Sequence, residues 1–227
     1  MDEVFSRTAL LLGEDGIEKL QKARVAVFGL GGVGGSAAEA LVRAGVGAVE
    51  LFDNDVVSRS NVNRQAFATL SSVGTKKTDA AKARLSDLSP SVEIVTHDLF
   101  FLPENADTVD FSRFDAVIDA IDTVTAKIEL VLRCRDAGTF LISCMGTGNK
   151  LDPTRLQVGD LFQTHTCPLA RVMRYELKKR GVGKLTVVWS DEKPIENHAG
   201  VPGSVSFVPP AAGLVAAGEV VRQIVGN

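Results

Sequence analysis

The hydrophobic pattern of residues 24–53 changes its period twice. Arg24–Phe28 is a short apolar run without a helical period, and a glycine-rich turn, GLGGVG at 29–34, follows it directly. The Ala-rich segment 36–44 then has the composition of a helix, and 48–53 is a second apolar run that ends in an acid. A strand, a glycine turn, a helix and a second strand in this order predict a βαβ unit.

Strand and helix patterns continue to alternate along the chain. We predict helices at 75–88 and 124–137, and extended segments at 92–96, 115–119 and 139–143. This alternation is typical of a doubly wound α/β fold, a Rossmann-like, mostly parallel sheet with helices on both faces. Ligands of such folds bind at the carboxyl ends of the strands. The corresponding loops here follow Phe28, Phe52, Ala120 and Cys144.

The pattern becomes less regular after residue 150. We predict extended segments at 156–160, 185–190 and 205–208, a basic helix at 168–180, a polar stretch at 191–203 and an apolar helix at the end. This change indicates two portions of one continuous domain. The portion 1–150 contains an N-terminal arm and the Rossmann-like nucleotide unit, and the smaller α+β portion 151–227 completes the sheet and provides surfaces for substrate binding and dimerisation.

Composition restricts the class of protein. With 227 residues, of which 45% are hydrophobic and 23% charged, the chain can bury one sizeable core. The longest apolar stretch, 211–225, contains Glu219 and Arg222 and is too short for a membrane span. Acids near the N-terminus do not fit a secretory signal, and three cysteines without a C-x-x-C pair fit neither a disulfide framework nor a four-cysteine zinc site. We therefore expect a cytoplasmic protein.

The glycine turn carries the first chemical signal. Gly29, Gly31 and Gly34 match G-x-G-x-x-G, which permits a tight turn, a close approach of backbone to phosphate, and close packing of helix on strand. The helix N-terminus adds free N–H groups and the positive end of the helix dipole. Asp53, at the tip of the second strand, is placed to accept hydrogen bonds from a ribose. The motif predicts a nucleotide site without selecting the nucleotide; the alternative is a glycine turn with no ligand.

The segment after the second strand favours a triphosphate over NAD. Asn61, Asn63 and Arg64 are hydrogen-bond donors, and Lys77 lies at the start of a predicted helix. A triphosphate tail needs such donors and cations, whereas hydride transfer does not. Asp122, beyond a later strand, can hold Mg²⁺ through one carboxylate. Each of these charges alone is typical of a solvated surface, but together at strand ends they indicate an ATP site.

Five motifs in combination resemble a known superfamily. They are GLGGVG (29–34), LFDND (51–55), SNVNRQ (60–65), VGTKK (73–77) and DAIDT (119–123). The combination is similar to the ThiF/MoeB/HesA superfamily, whose members resemble ubiquitin-activating enzymes and adenylate a carboxylate with ATP. Further segments resemble its tRNA threonylcarbamoyladenosine dehydratase branch: FSRT (5–8), LGE (12–14), NKLDPT (149–154), THTCPLAR (164–171), SDE (190–192) and FVPP (207–210).

This resemblance implies roles for individual residues. ATP or its metal would contact Gly32, Asp53, Asp55, Ser60, Asn61, Asn63, Arg64, Lys77 and Asp122. Arg64 and Lys77 would hold the phosphates, and Asp122 would hold Mg²⁺. Family members are homodimers in which an N-terminal arginine completes the partner's ATP site, and Arg7 matches that arginine. The catalytic set implied by the resemblance is thus Arg7, Arg64, Lys77 and Asp122.

The resemblance also implies an activity. The carboxylate of threonylcarbamoyladenosine, next to the anticodon of a tRNA, would be adenylated and then cyclised, with release of AMP and pyrophosphate. Two alternatives share the nucleotide motif: an adenylyltransferase for the C-terminal Gly-Gly of a ubiquitin-like sulfur carrier, and an NAD-binding or non-catalytic Rossmann module. The sequence lacks the zinc-binding cysteine pairs of many sulfur-carrier-activating relatives and has no cysteine in the context of a thioester-forming nucleophile. A cysteine desulfurase partner remains open by family association.

A tRNA needs a cationic surface, which the net charge of −3 does not provide. The predicted helix at 168–180 provides one locally, because Arg171, Arg174 and Lys178 are spaced three and four residues apart and share one helical face. We predict tRNA binding at these residues, against the alternative of an ordinary solvated helix face. Tyr175 and Trp189 are candidates to stack on an unpaired base.

Overall fold

A computed structural model describes residues 3–89 and 91–226 of the chain. Its strands are β1 (Arg24–Phe28), β2 (Ala48–Phe52), β3 (Glu93–His97), β4 (Ala116–Asp119), β5 (Phe140–Cys144), β6 (Leu156–Asp160) and β7 (Thr186–Ser190). They form a seven-stranded sheet in the order β3-β2-β1-β4-β5-β7-β6, in which β6 alone pairs antiparallel. The predicted doubly wound, mostly parallel sheet is confirmed, and strands after residue 150 complete it.

Helices cover both faces of this sheet. They are α1 (Ser6–Lys22), α2 (Gly32–Ala44), α3 (Lys77–Leu88), α4 (Val124–Ala137), α5 (Pro168–Lys179) and α6 (Val208–Val225). α1, α2, α3 and α6 contribute to the core on one face, and α4 and α5 to the core on the other. The division follows the alternation of side chains along each strand: Val25 and Val27 of β1 belong to the first core, and Ala26 and Phe28 to the second.

The last helix packs directly on the helix that follows the glycine turn. A Cβ atom at Gly213 of α6 would lie 2.1 Å from the backbone oxygen of Val33 in α2, so glycine is required at this approach. One turn earlier in α6, the Cβ of Pro209 lies 3.0 Å from the position that a Cβ at Gly32 would take. The C-terminal portion of the chain therefore supports the start of α2, where the nucleotide is predicted to bind.

The longest apolar segment of the sequence, 211–225, lies within α6. Ala212, Ala216 and Val220 bury this helix in the first core, and Glu219 and Arg222 form an ion pair on its more exposed side. Within the described ranges of the chain, no helix combines the length and the apolar character that crossing a membrane requires.

Two segments differ from the sequence-based expectation. The N-terminal residues form α1, which we did not predict because Gly13 interrupts the helical repeat; this residue has φ 75° and kinks the helix. The prediction of an extended segment at 205–208 is wrong, since Val208 begins α6. Pro209 and Pro210 occupy the first turn of that helix, where a missing N–H breaks no intrahelical hydrogen bond.

A substitution at Gly34 tests the close packing of α2 on the glycine turn after β1. A Cβ at this position would lie 1.8 Å from the backbone oxygen of Gly29, and no side-chain rotation can relieve that contact. We expect Gly34→Ala to lower the free energy of unfolding by about 3 kcal/mol or more, measured from the urea midpoint at unchanged m-value. The control is Gly183→Ala, because nothing lies within 4 Å of a Cβ there. Equal stability of the two variants would contradict this packing.

Candidate active site

The glycine turn joins β1 to α2 and touches the end of β4. Gly29 has φ 87°, and a Cβ on it would lie 2.7 Å from the backbone oxygen of Ala120. Both observations require glycine at this position. Because α2 begins at Gly32, its N-terminal N–H groups and the positive end of its dipole lie at the turn. The turn therefore has the geometry for binding an anion.

Asp53 fixes the position of this turn. One carboxylate oxygen accepts the N–H of Leu30 at 2.6 Å, and the other accepts the N–H of Asp55 at 2.8 Å. The side chain is 8% exposed. Asp53 thus connects the tip of β2 to the glycine turn, and the lone pairs that remain on its oxygens can accept hydrogen bonds from a ribose.

Lys77, the first residue of α3, lies beside Asp53 because the chain folds back between β2 and α3. Its backbone N–H donates to the backbone oxygen of Asp55 at 2.9 Å. Its Nζ lies 2.7 Å from the Asp55 carboxylate and 3.9 Å from that of Asp53. The Lys77 side chain is 9% exposed, whereas that of Asp55 is 64% exposed. Lys77 is therefore a nearly buried cation that two carboxylates hold beside the turn.

Arg64 is oriented by its own segment. Its Nη1 donates to the backbone oxygen of Ser60 at 3.0 Å and to Oδ1 of Asn63 at 2.8 Å. A guanidinium has five N–H donors, so these contacts leave others for a ligand. The Nδ2 of Asn63 donates to the backbone oxygen of Ser204 at 3.0 Å, which connects this segment to a distant loop.

These elements surround one cavity of about 850 Å³. Its volume lies within the range of about 300–1,000 Å³ for ligand pockets. The cavity lies at the carboxyl ends of β1, β2, β4 and β5, where we expected a ligand site. From the predicted nucleotide set, its wall includes Gly29, Gly31, Gly32, Asp53, Asp55, Asn61, Arg64, Lys77 and Asp122. The structure therefore brings together residues that are up to 93 positions apart in the sequence.

Three members of the predicted nucleotide set lie outside the cavity wall. Gly34 packs against the glycine turn from the α2 side. The Ser60 hydroxyl lies 2.9 Å from that of Ser58. Asn63 uses its side chain to connect Arg64 with Ser204. These residues support the site from behind its wall.

Asp122 is the predicted metal ligand. It is an exposed residue of the cavity wall, and its Oδ1 lies 3.4 Å from the Thr123 hydroxyl. A carboxylate with this freedom fits Mg²⁺, which proteins commonly bind through one or two carboxylates together with phosphate oxygens and water. Among residues 3–89 and 91–226, no group of three His, Cys, Asp or Glu side chains is arranged to hold a metal. A magnesium ion here would therefore take most of its ligands from the nucleotide and water.

The match to a family model extends beyond the cavity to almost the whole chain. The model, described as the ThiF family, matches residues 5–227. The chain belongs to the ThiF family. A tRNA threonylcarbamoyladenosine dehydratase of Bacillus subtilis (strain 168) is 43% identical to it over 97% of this chain and 94% of the relative.

Two solved structures are similar to this ThiF-family chain along its length. Both are of the E. coli tRNA N6-threonylcarbamoyladenosine dehydratase TcdA, one in complex with AMP and one with ATP. Their TM-scores are 0.94 and 0.92, at 34% and 35% sequence identity. Each comparison covers 99% of this chain and 94% of the solved chain.

Beneath its glycine turn, this ThiF-family member has a buried ion pair that the sequence analysis missed. Asp119 of β4 and Lys127 of α4 have fully buried side chains and lie 2.9 Å apart. The Ser143 hydroxyl donates to the same carboxylate, and Lys127 Nζ also donates to the backbone oxygen of Ile121 at 3.0 Å. An acid and a lysine within apolar elements are the available sequence signal, since buried charges need partners. This network holds the chain immediately before Asp122.

The opposite half of the cavity is formed by segments 144–150 and 167–169, together with Pro194 and residues 202–204. Lys150, which the sequence analysis did not single out, is 2% exposed. Its Nζ donates to the backbone oxygens of Ser190 and Glu192 at 3.0 and 2.9 Å. Burial lowers the pKa of Lys150.

The Glu192 carboxylate completes this contact from the other side. It accepts the N–H groups of Leu151 and Asp152 at 2.9 and 3.0 Å. The motifs NKLDPT and SDE, which are 35 or more residues apart, are thus bound to each other at the cavity.

Cys144 and Cys167 also line the cavity. Burial raises the pKa of the Cys144 thiol to about 12. Burial also raises the pKa of Cys134, which lies in the second core. A thiol with a raised pKa carries little thiolate near neutral pH and is a poor nucleophile. The environments of Cys134 and Cys144 are therefore those of packing residues.

Helix α5 begins at the cavity and carries the predicted tRNA-binding face away from it. Its first residue, Pro168, lines the cavity, and Arg171 and Lys178 are exposed. Arg174 is partly buried and donates to the hydroxyl of Thr164. The three predicted residues share a helix, but Arg174 also fastens that helix to the preceding loop.

The two aromatic candidates for base stacking differ in exposure. Tyr175 of α5 is 63% exposed, and Lys179 Nζ lies 3.8 Å from its ring centroid. Trp189 is 6% exposed and belongs to the second core. The suggestion that Trp189 stacks on a base is therefore wrong, whereas Tyr175 is accessible.

Arg7 is exposed on α1 and is not part of its own chain's cavity wall. Leu10 and Leu11, in the same half of α1, are each 85% exposed. Phe5, at the start of this segment, is buried and packs against Gly45, where a Cβ would lie 3.3 Å from its ring. The arginine thus belongs to an exposed, partly apolar segment.

The buried ion pair gives a direct test of how the cavity is supported. Removing one partner leaves an uncompensated buried charge, so we expect Lys127→Met to lower the free energy of unfolding by roughly 3–5 kcal/mol. Lys22→Met is the control, because Lys22 pairs with Glu18 at 3.7 Å with both side chains exposed. It should change stability by less than ~1 kcal/mol. Urea denaturation measures both, and a Lys127→Met protein as stable as the control would contradict the assignment.

Proposed function

We propose that this protein is an ATP-dependent tRNA threonylcarbamoyladenosine dehydratase. It adenylates the threonylcarbamoyl carboxylate next to the anticodon and cyclises the product, releasing AMP and pyrophosphate. The observation that carries the proposal is the convergence of Arg64, Lys77 and Asp122 around one glycine turn, in a cavity that extends to a basic helix. The similarity to the Bacillus subtilis dehydratase and to the TcdA complexes supports the same activity.

In this proposal, Arg64 and Lys77 stabilise the charge that develops on the phosphates. The substrate carboxylate attacks the α-phosphorus, the bond to the β-phosphate oxygen breaks, and pyrophosphate leaves. Lys77 is prepared for this task because its Nζ already lies in the wall beside exposed Asp55. A preorganised donor in such a site contributes about 3–4 kcal/mol to lowering the barrier.

Asp122 would hold the magnesium ion at the phosphates. Bound there, Mg²⁺ supplies neutralisation of phosphate charge and orientation of the leaving group. The buried Asp119–Lys127 pair keeps the adjoining backbone in place.

Ring closure follows within the activated substrate. The carbamoyl group attacks the activated carbonyl carbon, AMP leaves, and the net change in the base is the loss of one water. Because the step is intramolecular, a high effective molarity replaces a covalent enzyme intermediate. The raised pKa of Cys144 supports a route without a cysteine nucleophile.

A second copy of the chain would complete the ATP site. Arg7 of one protomer would reach the nucleotide of its partner, as the family resemblance implies. The exposure of Leu10 and Leu11 beside it supports an interface there, because exposed apolar side chains on one segment are typical of docking surfaces.

Helix α5 would bind the tRNA backbone. Arg171 and Lys178 are exposed, and the helix starts at the cavity, so an anticodon stem bound along it would direct the modified base towards the adenylation site. Tyr175, on the same helix, is accessible for stacking on a neighbouring base.

Lys77 and its sequence neighbour give a matched test of the phosphate assignment. We expect Lys77→Ala to slow pyrophosphate release about 100–1,000-fold, because one preorganised donor is lost. Lys76→Ala should keep the wild-type rate, since Lys76 Nζ pairs with Asp98 at 2.6 Å on the exposed surface. The assay uses tRNA that carries threonylcarbamoyladenosine, with thermal unfolding to show that both variants fold.

Pyrophosphate release and nucleotide binding together separate the proposal from its rivals. Pyrophosphate release with a Gly-Gly-terminated carrier protein in place of tRNA would favour the sulfur-carrier adenylyltransferase. Tight NAD binding without ATP binding would favour a Rossmann module of another kind. Equal rates for Lys77→Ala and wild type would refute the role of Lys77.

The exposed cations of α5 provide the test of tRNA binding. We expect Arg171→Ala/Lys178→Ala to weaken tRNA binding and to reduce the slope of log affinity against log salt by about two, or one per phosphate contact. ATP affinity should not change. The control is Lys22→Ala/Lys82→Ala, which removes exposed cations from α1 and α3. An unchanged salt slope in the α5 variant would place the tRNA elsewhere.

A further inference from the structure

The polar stretch 191–203, together with Ser204 after it, is here called the roof loop and supplies part of the cavity wall. Pro194, Pro202, Gly203 and Ser204 of this loop line the cavity. Most of its residues are exposed, and it contains no helix or strand. With so little packing of its own, the loop depends on contacts with the rest of the chain for its position.

Asn149 provides the contact on the substrate side. Its Oδ1 accepts hydrogen bonds from Nδ2 of Asn197 and from the N–H of Gly203, both at 2.6 Å. Its own N–H donates to the backbone oxygen of Gly203 at 2.8 Å, and its backbone oxygen accepts the N–H of Ile195 at 2.7 Å. Asn149 has φ 59°, a conformation that asparagine tolerates better than most residues. One residue thus fastens three positions of the roof loop.

Asn63 provides the contact on the nucleotide side. Its Nδ2 donates to the backbone oxygen of Ser204, while its Oδ1 accepts from Nη1 of Arg64. Both ends of the amide are therefore used, one towards the proposed phosphate-binding arginine and the other towards the roof loop. The side chain bridges the two halves of the cavity.

The packing beneath the loop is close enough to make its position sensitive to small changes. A Cβ at Gly148 would lie 3.0 Å from the Cβ of Pro202, and a Cβ at Gly203 would lie 3.2 Å from Oδ1 of Asn149. By contrast, the nearest atom to a Cβ at Gly146 is the Cys167 Sγ at 3.7 Å, an ordinary contact. The segment 146–149 thus offers two neighbouring glycines that differ in their effect on the loop.

We propose that Asn63 and Asn149 are positioning residues that couple ATP binding to closure of the roof loop over the substrate. A nucleotide that engages Arg64 fixes the guanidinium, Asn63 transmits this to Ser204, and Asn149 holds the loop in the closed position. The order of events is then ATP first and the modified base second. The inference rests on the proposed function for the identity of both ligands, but the coupling itself needs ATP alone.

Hydrogen exchange of the full-length protein tests the coupling without tRNA. The reporters are the N–H groups of Ile195 and Gly203, which donate to Asn149. In the wild type, ATP with Mg²⁺ should slow their exchange about fivefold, the factor for one added hydrogen bond of ~1 kcal/mol. In Asn63→Ala, which also releases one contact of Arg64, the slowing should be lost even at ATP concentrations that calorimetry shows to be saturating for the variant. Equal slowing in Asn63→Ala, or none in the wild type, would overturn the proposal.

Three further variants, Asn149→Gly, Gly148→Ala and Gly146→Ala, test the contacts that hold the roof loop. Glycine keeps φ 59° without strain, so Asn149→Gly removes only the side-chain acceptor, and Gly203 should exchange rapidly with and without ATP. Gly148→Ala should shift Pro202 by a few tenths of an ångström and weaken the ATP response, whereas Gly146→Ala should retain it. A lost response in both glycine variants would contradict the role of the Pro202 contact.

Turnover measurements distinguish a positioning role from a merely structural one. Asn149→Gly should raise KM for tRNA more than KM for ATP, because the loop contacts the substrate directly, whereas the loss for ATP is limited to the roughly fivefold coupling between ATP and the loop. A proportional rise in both values would overturn the assignment. If ATP slows exchange but no tRNA is converted, the proposed function fails and the coupling stands. If ATP does not bind, both fail.

Discussion

The candidate site depends on a close approach of backbone to backbone at the end of β1. Gly29 brings the glycine turn against Ala120, Gly34 brings α2 against Gly29, and Asp53 accepts the N–H of Leu30. These contacts fix the anion-binding end of α2 relative to the tips of β2 and β4. Because Asp122 follows Ala120 by two residues, the same approach sets where this proposed metal ligand would lie with respect to the phosphates of a bound nucleotide.

Lys77, Lys127 and Lys150 are buried at or near the cavity, and each makes a different set of contacts. Lys77 lies beside two carboxylates at the wall, where a phosphate can take their place. Lys127 is paired with Asp119 out of reach of solvent and supports the backbone before Asp122. Lys150 donates to backbone oxygens and joins two distant motifs in the opposite half. Burial makes each of them sensitive to the loss of its partners, since a desolvated charge without partners is costly.

The parts of the fold that sequence predicts are those with local causes. Consecutive residues determine the hydrophobic periods of β1, α2 and β2, the glycine turn, and the acid at the tip of β2. Because the carboxyl ends of parallel strands meet at one edge of the sheet, the positions of Arg64, Lys77 and Asp122 near each other can then be predicted. The kinked helix α1 escapes such reasoning because Gly13 breaks its repeat. The Asp119–Lys127 pair and the bridge from Asn63 to Ser204 escape it because they join segments whose distance is set only by packing.

In the proposed reaction, this cavity makes a carboxylate reactive by joining it to adenylate, and the acid belongs to a tRNA base. The decisive measurement is mass analysis of nucleosides from threonylcarbamoyladenosine-bearing tRNA after incubation with the protein, ATP and Mg²⁺. We expect a modified adenosine lighter by one water, with one AMP released per base converted. An unchanged nucleoside, with ATP bound and the protein folded, would contradict it.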